Sequence, residues 1–207
     1  AIANMIAGSG GGCDYNFPDG LDGDPIMIDL INATYTVPAG KNLYITHGFK
    51  SGSNSNIRVD GELVLTIENS YIGNYNGGAF IVKSGAIVES DASNSNTTLN
   101  IYGFLVDQII EPITIDLQNS SYTVPLGKKL YVKNGFRSGS TPSIEVDGEL
   151  AFEINDSYLR YLPNNPFMIG SGSILEKEAS SSTTILNISG YLADENYFAN
   201  CGGGGSS

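Results

Sequence analysis

The sequence predicts an all-β protein: two tandem antiparallel β-sandwiches behind an N-terminal arm. Three observations carry that expectation: an internal duplication, apolar residues that recur with period two, and turn residues between the alternating runs. Pro25-Ile26-Met27-Ile28-Asp29-Leu30 aligns with Pro112-Ile113-Thr114-Ile115-Asp116-Leu117, an offset of 112 − 25 = 87. The same offset runs without a gap to Asp107 and Asp194. It carries Tyr35-Thr36-Val37-Pro38 onto Tyr122-Thr123-Val124-Pro125, and Val59-Asp60-Gly61-Glu62-Leu63 onto Val146-Asp147-Gly148-Glu149-Leu150. Roughly half of the aligned positions are identical, so one folding unit is present twice.

Within a unit, about eight short strands are expected. Ile26, Ile28 and Leu30 alternate with Met27 and Asp29 over 26–30, and a strand at 34–37 stops at the turn Pro38-Ala39-Gly40. Leu43 and Ile45 mark 41–48, and 56–60 ends on Asp60-Gly61. Leu63, Leu65 and Ile67 mark 62–68. Strands at 79–83 and 86–90 flank Ser84-Gly85, and Leu99, Ile101, Gly103 and Leu105 alternate through 97–106. No stretch sustains a helical period. This many antiparallel strands in so short a unit fit a jelly-roll-like sandwich. The expected core is Ile28, Leu43, Val59, Leu65 and Ile101 with counterparts Ile115, Leu130, Val146, Phe152 and Ile188. The chain divides into an arm or connector at 1–24, repeat 1 at 25–107, a link Gln108-Ile109-Ile110-Glu111, repeat 2 at 112–194, and a glycine-rich tail at 195–207.

The pattern Tyr-Thr-Val-Pro-x-Gly-Lys, then Val-Asp-Gly-Glu, then a closing Ile-x-Gly-aromatic-Leu resembles small jelly rolls of bacterial surface filaments, phage fibre heads and cupin-like proteins. The resemblance spans both units and implies the fold. Its motifs are turn chemistry and imply no activity. A cupin metal site is built from histidines and a glutamate, and His47 is the one histidine of the chain, so that chemistry is not carried over.

Composition excludes several classes of function. Ten Lys and Arg face 22 Asp and Glu, a net charge of −12, which is the wrong sign for a phosphate backbone or an anionic membrane surface. No apolar run approaches the roughly 18 residues of a spanning helix, so membrane insertion is not expected. The 26 glycines and 12 tyrosines, with few Lys, Arg and Met, point to an exported protein at the cell surface or on a virion. The start at Ala1 predicts loss of an initiator Met or a signal peptide.

Few residues carry candidate chemistry. Asp60 and Glu62, echoed by Asp147 and Glu149, could be a glycosidase carboxylate pair, but Asp-Gly is also the signature of a type I′ hairpin turn, and the turn is the expectation. His47 aligns with Asn134, so the fold does not require an imidazole there, and no catalytic group is expected. Asp19, Asp22 and Asp24, with Asp14 nearby on a glycine-rich loop, are the candidate calcium ligands, against a solvated acidic linker. Cys13 and Cys201, each beside a glycine run, are expected to form a disulfide, within a chain or between neighbouring subunits. Asn-x-Ser/Thr sites occur at Asn32, Asn96, Asn119, Asn155 and Asn187. Lys50 and Arg137 keep a basic residue in an acidic protein, for an acidic neighbour or for solvent. The loops bearing Tyr75 and Asn76, and Tyr161 and Asn164, diverge between the copies and could contact a glycan or a cell-surface receptor.

Ile2, Met5 and Ile6 lie outside the duplicated pattern, and their burial is expected to come from an adjacent copy. Two functions follow. The first is a non-enzymatic structural subunit of an extracellular filament or appendage, partnering itself through the arm and sheet edges. The second is a phage fibre or surface module that binds a receptor or glycan.

Overall fold

The computed structural model describes residues 14–31, 33–52, 54–67, 71–72, 79–91, 98–154, 158–159, 166–178 and 185–199. Ile2, Met5, Ile6, Cys13, Cys201 and the loop residues Tyr75, Asn76, Tyr161 and Asn164 lie outside that set. Every regular element among the described residues is a strand. Repeat 1 contains β1 (Asp24–Asp29), β2 (Tyr35–Thr36), β3 (Lys41–Ser51), β4 (Ser55–Val59), β5 (Glu62–Ile67), β6 (Tyr71–Ile72), β7 (Phe80–Val82), β8 (Ile87–Ser90) and β9 (Thr98–Asp107). Repeat 2 contains β10 (Glu111–Asp116), β11 (Tyr122–Thr123), β12 (Lys128–Ser138), β13 (Ser143–Val146), β14 (Glu149–Glu153), β15 (Tyr158–Leu159), β16 (Phe167–Ile169), β17 (Ile174–Lys177) and β18 (Ile185–Asp194).

Each repeat is two antiparallel sheets. In repeat 1 one sheet runs β1-β9-β3, with β6 and β7 both pairing the far side of β3, and the other runs β2-β8-β4-β5. Repeat 2 repeats the scheme as β10-β18-β12 with β15 and β16, and β11-β17-β13-β14. First strand pairs last, second pairs next to last, third pairs the strands before that, and the middle two form a hairpin. A long hairpin rolled up in this way is a jelly roll.

Local chemistry explains the corners. Asp60 and Gly61 have φ of 53° and 86°, and Asp147 and Gly148 have 55° and 79°, the left-handed pair that a type I′ hairpin needs. Lys41 N–H donates to the Pro38 carbonyl at 3.2 Å across Gly40, whose φ is +77°, a type II turn that is rebuilt at Pro125 to Lys128. The long strands β3 and β12 each carry a bulge, between Ile45 and His47 and between Val132 and Asn134. There the backbones close in: a Cβ on Gly103 would sit 1.9 Å from the Tyr44 carbonyl oxygen, and one on Gly190 2.0 Å from that of Tyr131. Only glycine fits at either position.

The expected cores form. Ile28, Leu43, Val59, Leu65 and Ile101 are buried in repeat 1, as are Ile115, Leu130 and Ile188 in repeat 2, while Val146 and Phe152 pack half-buried against the second core. The strand pattern differs from the sequence expectation in two places: β3 runs on to Ser51, and the two-residue strands β6 and β15 pair its far end and that of β12. Two residues are too few to show a period.

Residues 14–20 and 195–199 fold as turns against the sandwiches, because Tyr15, Phe17, Tyr197 and Phe198 enter a third apolar cluster.

Candidate functional site

The third cluster lies at the seam between the two sandwiches and draws on both. Tyr44, Ala79, Ile81 and Val106 come from repeat 1, Ile110 from the link, and Tyr131, Tyr191 and Ala193 from repeat 2, all buried. The duplication supplies its frame twice. Tyr44 stacks on Phe104 at 5.1 Å and 9°, and their counterparts Tyr131 and Tyr191 stack at 4.9 Å and 11°. These rings stand on the outward faces of β3, β9, β12 and β18, which alternation alone assigns to solvent. The terminal turns roof them: Phe17 lies 5.9 Å from Tyr44, and Tyr15 lies 5.9 Å from Tyr131 and 4.5 Å from Phe198. The hydroxyls of Tyr44, Tyr191 and Tyr197 find acceptors, as buried phenols must. Tyr191 donates to the Tyr15 carbonyl at 3.0 Å, and Tyr197 to that of Pro18 at 2.8 Å. Burial holds the Tyr44 and Tyr191 hydroxyls protonated far above the usual phenol range, with Asp19 adding to the effect at Tyr44 and Tyr131 at Tyr191.

Asp19 is the polar centre of the seam. Its buried carboxylate accepts from Asn42 Nδ2 at 2.7 Å, the Tyr44 hydroxyl at 2.8 Å, and the Ile109 and Ile110 amides at 2.8 Å each. It thus ties the N-terminal turn, β3 and the inter-repeat link together. The structure does not gather the candidate calcium ligands Asp19, Asp22 and Asp24 into one group. Asp22 and Asp24 are exposed while Asp19 turns inward onto four donors, and no metal-binding group of three His, Cys, Asp or Glu occurs among the described residues. Asp24 instead stands 4.0 Å from Lys41.

Lys133 is the buried cation of the seam. It occupies the extra position of the β12 bulge, where repeat 1 has Thr46, and donates to Asn16 Oδ1 at 2.8 Å. Burial pushes its amine down to about 8, with the charge of Asp14 pulling the other way.

The Asp60 and Glu62 turn lines a cleft of about 120 Å³ between the repeats, together with Val59, Lys83, Pro112 and Thr114. Asp60 Oδ1 accepts the Ile87 amide at 2.9 Å and its Oδ2 stands 3.3 Å from Lys83 Nζ, while Glu62 accepts from Asn187 Nδ2 at 3.3 Å. In repeat 2 the Ile174 amide does the same to Asp147 and lowers its pKa, with Ser173 helping. A turn residue that satisfies a neighbouring strand explains why Asp recurs. His47 is exposed on β3, with Nδ1 3.0 Å from Thr46 Oγ1, and does not share the cleft.

The basic pair also turns inward. Lys50 is buried and donates to the Gly52 carbonyl at 2.9 Å, and Arg137 Nε donates to that of Ile154 at 2.7 Å. Asn187, one of the Asn-x-Ser/Thr sites, is buried and donates to the Leu63 carbonyl at 2.8 Å across the seam, so it is closed to a glycan in the folded chain.

The seam was absent from the sequence reading. A signal for it existed: both copies keep an aromatic at the two outward positions, Tyr44 with Tyr131 and Phe104 with Tyr191, and Tyr and Phe crowd both ends of the chain.

No family model matches the chain, and no curated protein matches it. Among solved structures, a Cupin 2 conserved barrel domain protein from Leptotrichia buccalis matches over 85% of this chain and 91% of its own, at 9% identity and a TM-score of 0.25. A likeness at that score carries no argument, and the jelly-roll assignment rests on strand order.

Proposed function

We propose that the chain is a non-enzymatic structural subunit of an extracellular filament or appendage, assembling with copies of itself through residues 1–13 and its sheet edges and faces. The observation that supports this reading is the seam. Two jelly rolls are joined into one body by an apolar core, a buried carboxylate clamp and a cross-repeat Asn187 bond, the build of a load-bearing brick. Polar groups that could have served chemistry are engaged in holding turns and strands: Asp19, Asp60, Glu62 and Asp147 each accept from a neighbouring donor.

The arm carries Ile2, Met5 and Ile6, and a chain that adds as a strand to a neighbour's open edge satisfies its backbone groups while burying such side chains. Sedimentation velocity of the full chain against a chain lacking residues 1–12 tests the reading. The full chain should sediment as polymer, and the truncated one as a folded monomer. A full chain that stays monomeric at all concentrations would sink it, and equal assembly of both forms would remove the arm from it.

A further inference from the structure

The duplication makes the two repeats chemically similar, yet equivalent positions differ sharply in exposure. Leu63 on β5 is 6% exposed, while its counterpart Leu150 on β14 is 62% exposed. Ile81 on β7 is 7% exposed, and its counterpart Met168 on β16 is 58%. The cause is the seam, where β5 packs on β10, β12 and β18, and β7 packs on β10. Within residues 1–207, β14 and β16 have no such cover, and Leu150 and Met168 stay exposed.

The receiving side shows the converse. On the outer face of β18, Asn187, Ser189, Tyr191 and Ala193 are all buried, but on β9 the counterpart of Ser189 is Tyr102, 39% exposed. Beside it, paired in register, Met27 of β1 is 60% exposed where β10 has Thr114. Large apolar groups thus stay exposed in both repeats: Leu150 and Met168 in repeat 2, Met27 and Tyr102 in repeat 1. Scattered exposed apolar residues need no explanation, but these are the duplicates of residues on strands that pack together inside the chain.

We propose that β14 and β16 of one copy dock on the part of the outer face of β1 and β9 around Met27, Asn100 and Tyr102 of the next, beyond the Tyr44, Phe104 and Val106 region that the seam covers, resembling between chains the junction that β5 and β7 make with repeat 2 within the chain. This rests on the filament reading and adds a face contact to the arm, both being required for assembly. The polar part of the junction is duplicated as well. Asn187 donates to the Leu63 carbonyl and to Glu62, and their counterparts are Asn100, Leu150 and Glu149. Asn100 of one copy then donates to the Leu150 carbonyl of its neighbour. Met27 and Met168 are unbranched and adapt to a facing surface that is similar to the internal one without being identical. The contact is heterologous, head to tail, so each added copy presents the same open face again, and the assembly grows until its geometry closes or runs on as a fibre.

Two single substitutions, Leu150→Glu on one face and Tyr102→Glu on the other, test this, with circular dichroism confirming the fold of each. Each variant alone should remain monomeric under conditions where the full wild-type chain assembles. An equimolar mixture should give a species of two chains and nothing longer, because each variant keeps one intact face. If either variant alone assembles like the wild type, or the mixture stays monomeric, the docking proposal is overturned and the filament reading stands. If the wild-type chain itself never assembles, the filament reading fails and takes the docking with it. Closed rings would support the docking and overturn the fibre.

Discussion

At the scale of single residues, Gly103, Gly190 and Asp19 decide how the fold closes, and Lys133 how its stability follows pH. Gly103 and Gly190 sit under carbonyl oxygens at the bulges, and neither the Tyr44 nor the Tyr131 backbone can retreat without breaking its pairing to β9 or β18. Gly103→Ala or Gly190→Ala is expected to cost about 3 kcal/mol, read as a drop in the urea midpoint of unfolding. Asp19 serves four donors from three segments, so Asp19→Ala leaves buried N–H and O–H groups without an acceptor and should cost roughly 3 kcal/mol by the same measurement. A loss below the error of the titration would show that the clamp is decorative. Lys133 acts through pH. Its folded pKa, about 8, lies below its unfolded one, so the unfolded chain holds the extra proton above that value and stability should rise with pH through the window up to the ordinary lysine range. The buried tyrosines work the other way once unfolded phenols ionise near pH 10, which sets the upper end of a useful comparison. Lys133→Met should flatten the rise between about pH 7 and about pH 9.5; an unchanged slope contradicts the assignment.

At the scale of elements, the period-two pattern located the long strands well, because β3, β9, β12 and β18 each bury one face against a core that alternation reveals. Turn chemistry was equally legible: Asp60-Gly61 and Pro38-Ala39-Gly40 form the turns their residues require. Sequence shows that Asp19, Asp22 and Asp24 are close along the chain but not which way each one faces. The seam escaped for a related reason. Alternation assigns Tyr44 and Phe104 to the outer face, and only the tertiary packing turns that face into an interior. The same packing informs the cysteines. Tyr15 lies against Phe198, so Asp14, next to Cys13, and Ala199, two residues before Cys201, belong to segments held side by side. We predict that the disulfide closes within the chain. Non-reducing electrophoresis should then show a monomer, with Cys13 and Cys201 peptides linked in its digest. A ladder of covalent multimers that collapses on reduction would place the bond between copies instead.

At the scale of the whole molecule, the chain is an asymmetric pair made from nearly symmetric parts. Duplication gives each repeat similar surfaces, and the seam covers β5, β7 and the Tyr44, Phe104 and Val106 part of repeat 1 while Leu150, Met168, Met27 and Tyr102 stay exposed. Under the proposed docking, a contact like the one that joins its halves also joins it to its neighbours, as a linear assembly requires. Three-dimensional reconstruction of the assembled full-length protein by electron microscopy measures this directly. The account predicts fibres in which every sandwich-to-sandwich junction is alike, with Leu150 and Met168 of one copy meeting Met27 and Tyr102 of the next as Leu63 and Ile81 meet repeat 2. Discrete particles without fibres, or fibres in which Leu150 and Met168 face solvent, would contradict it.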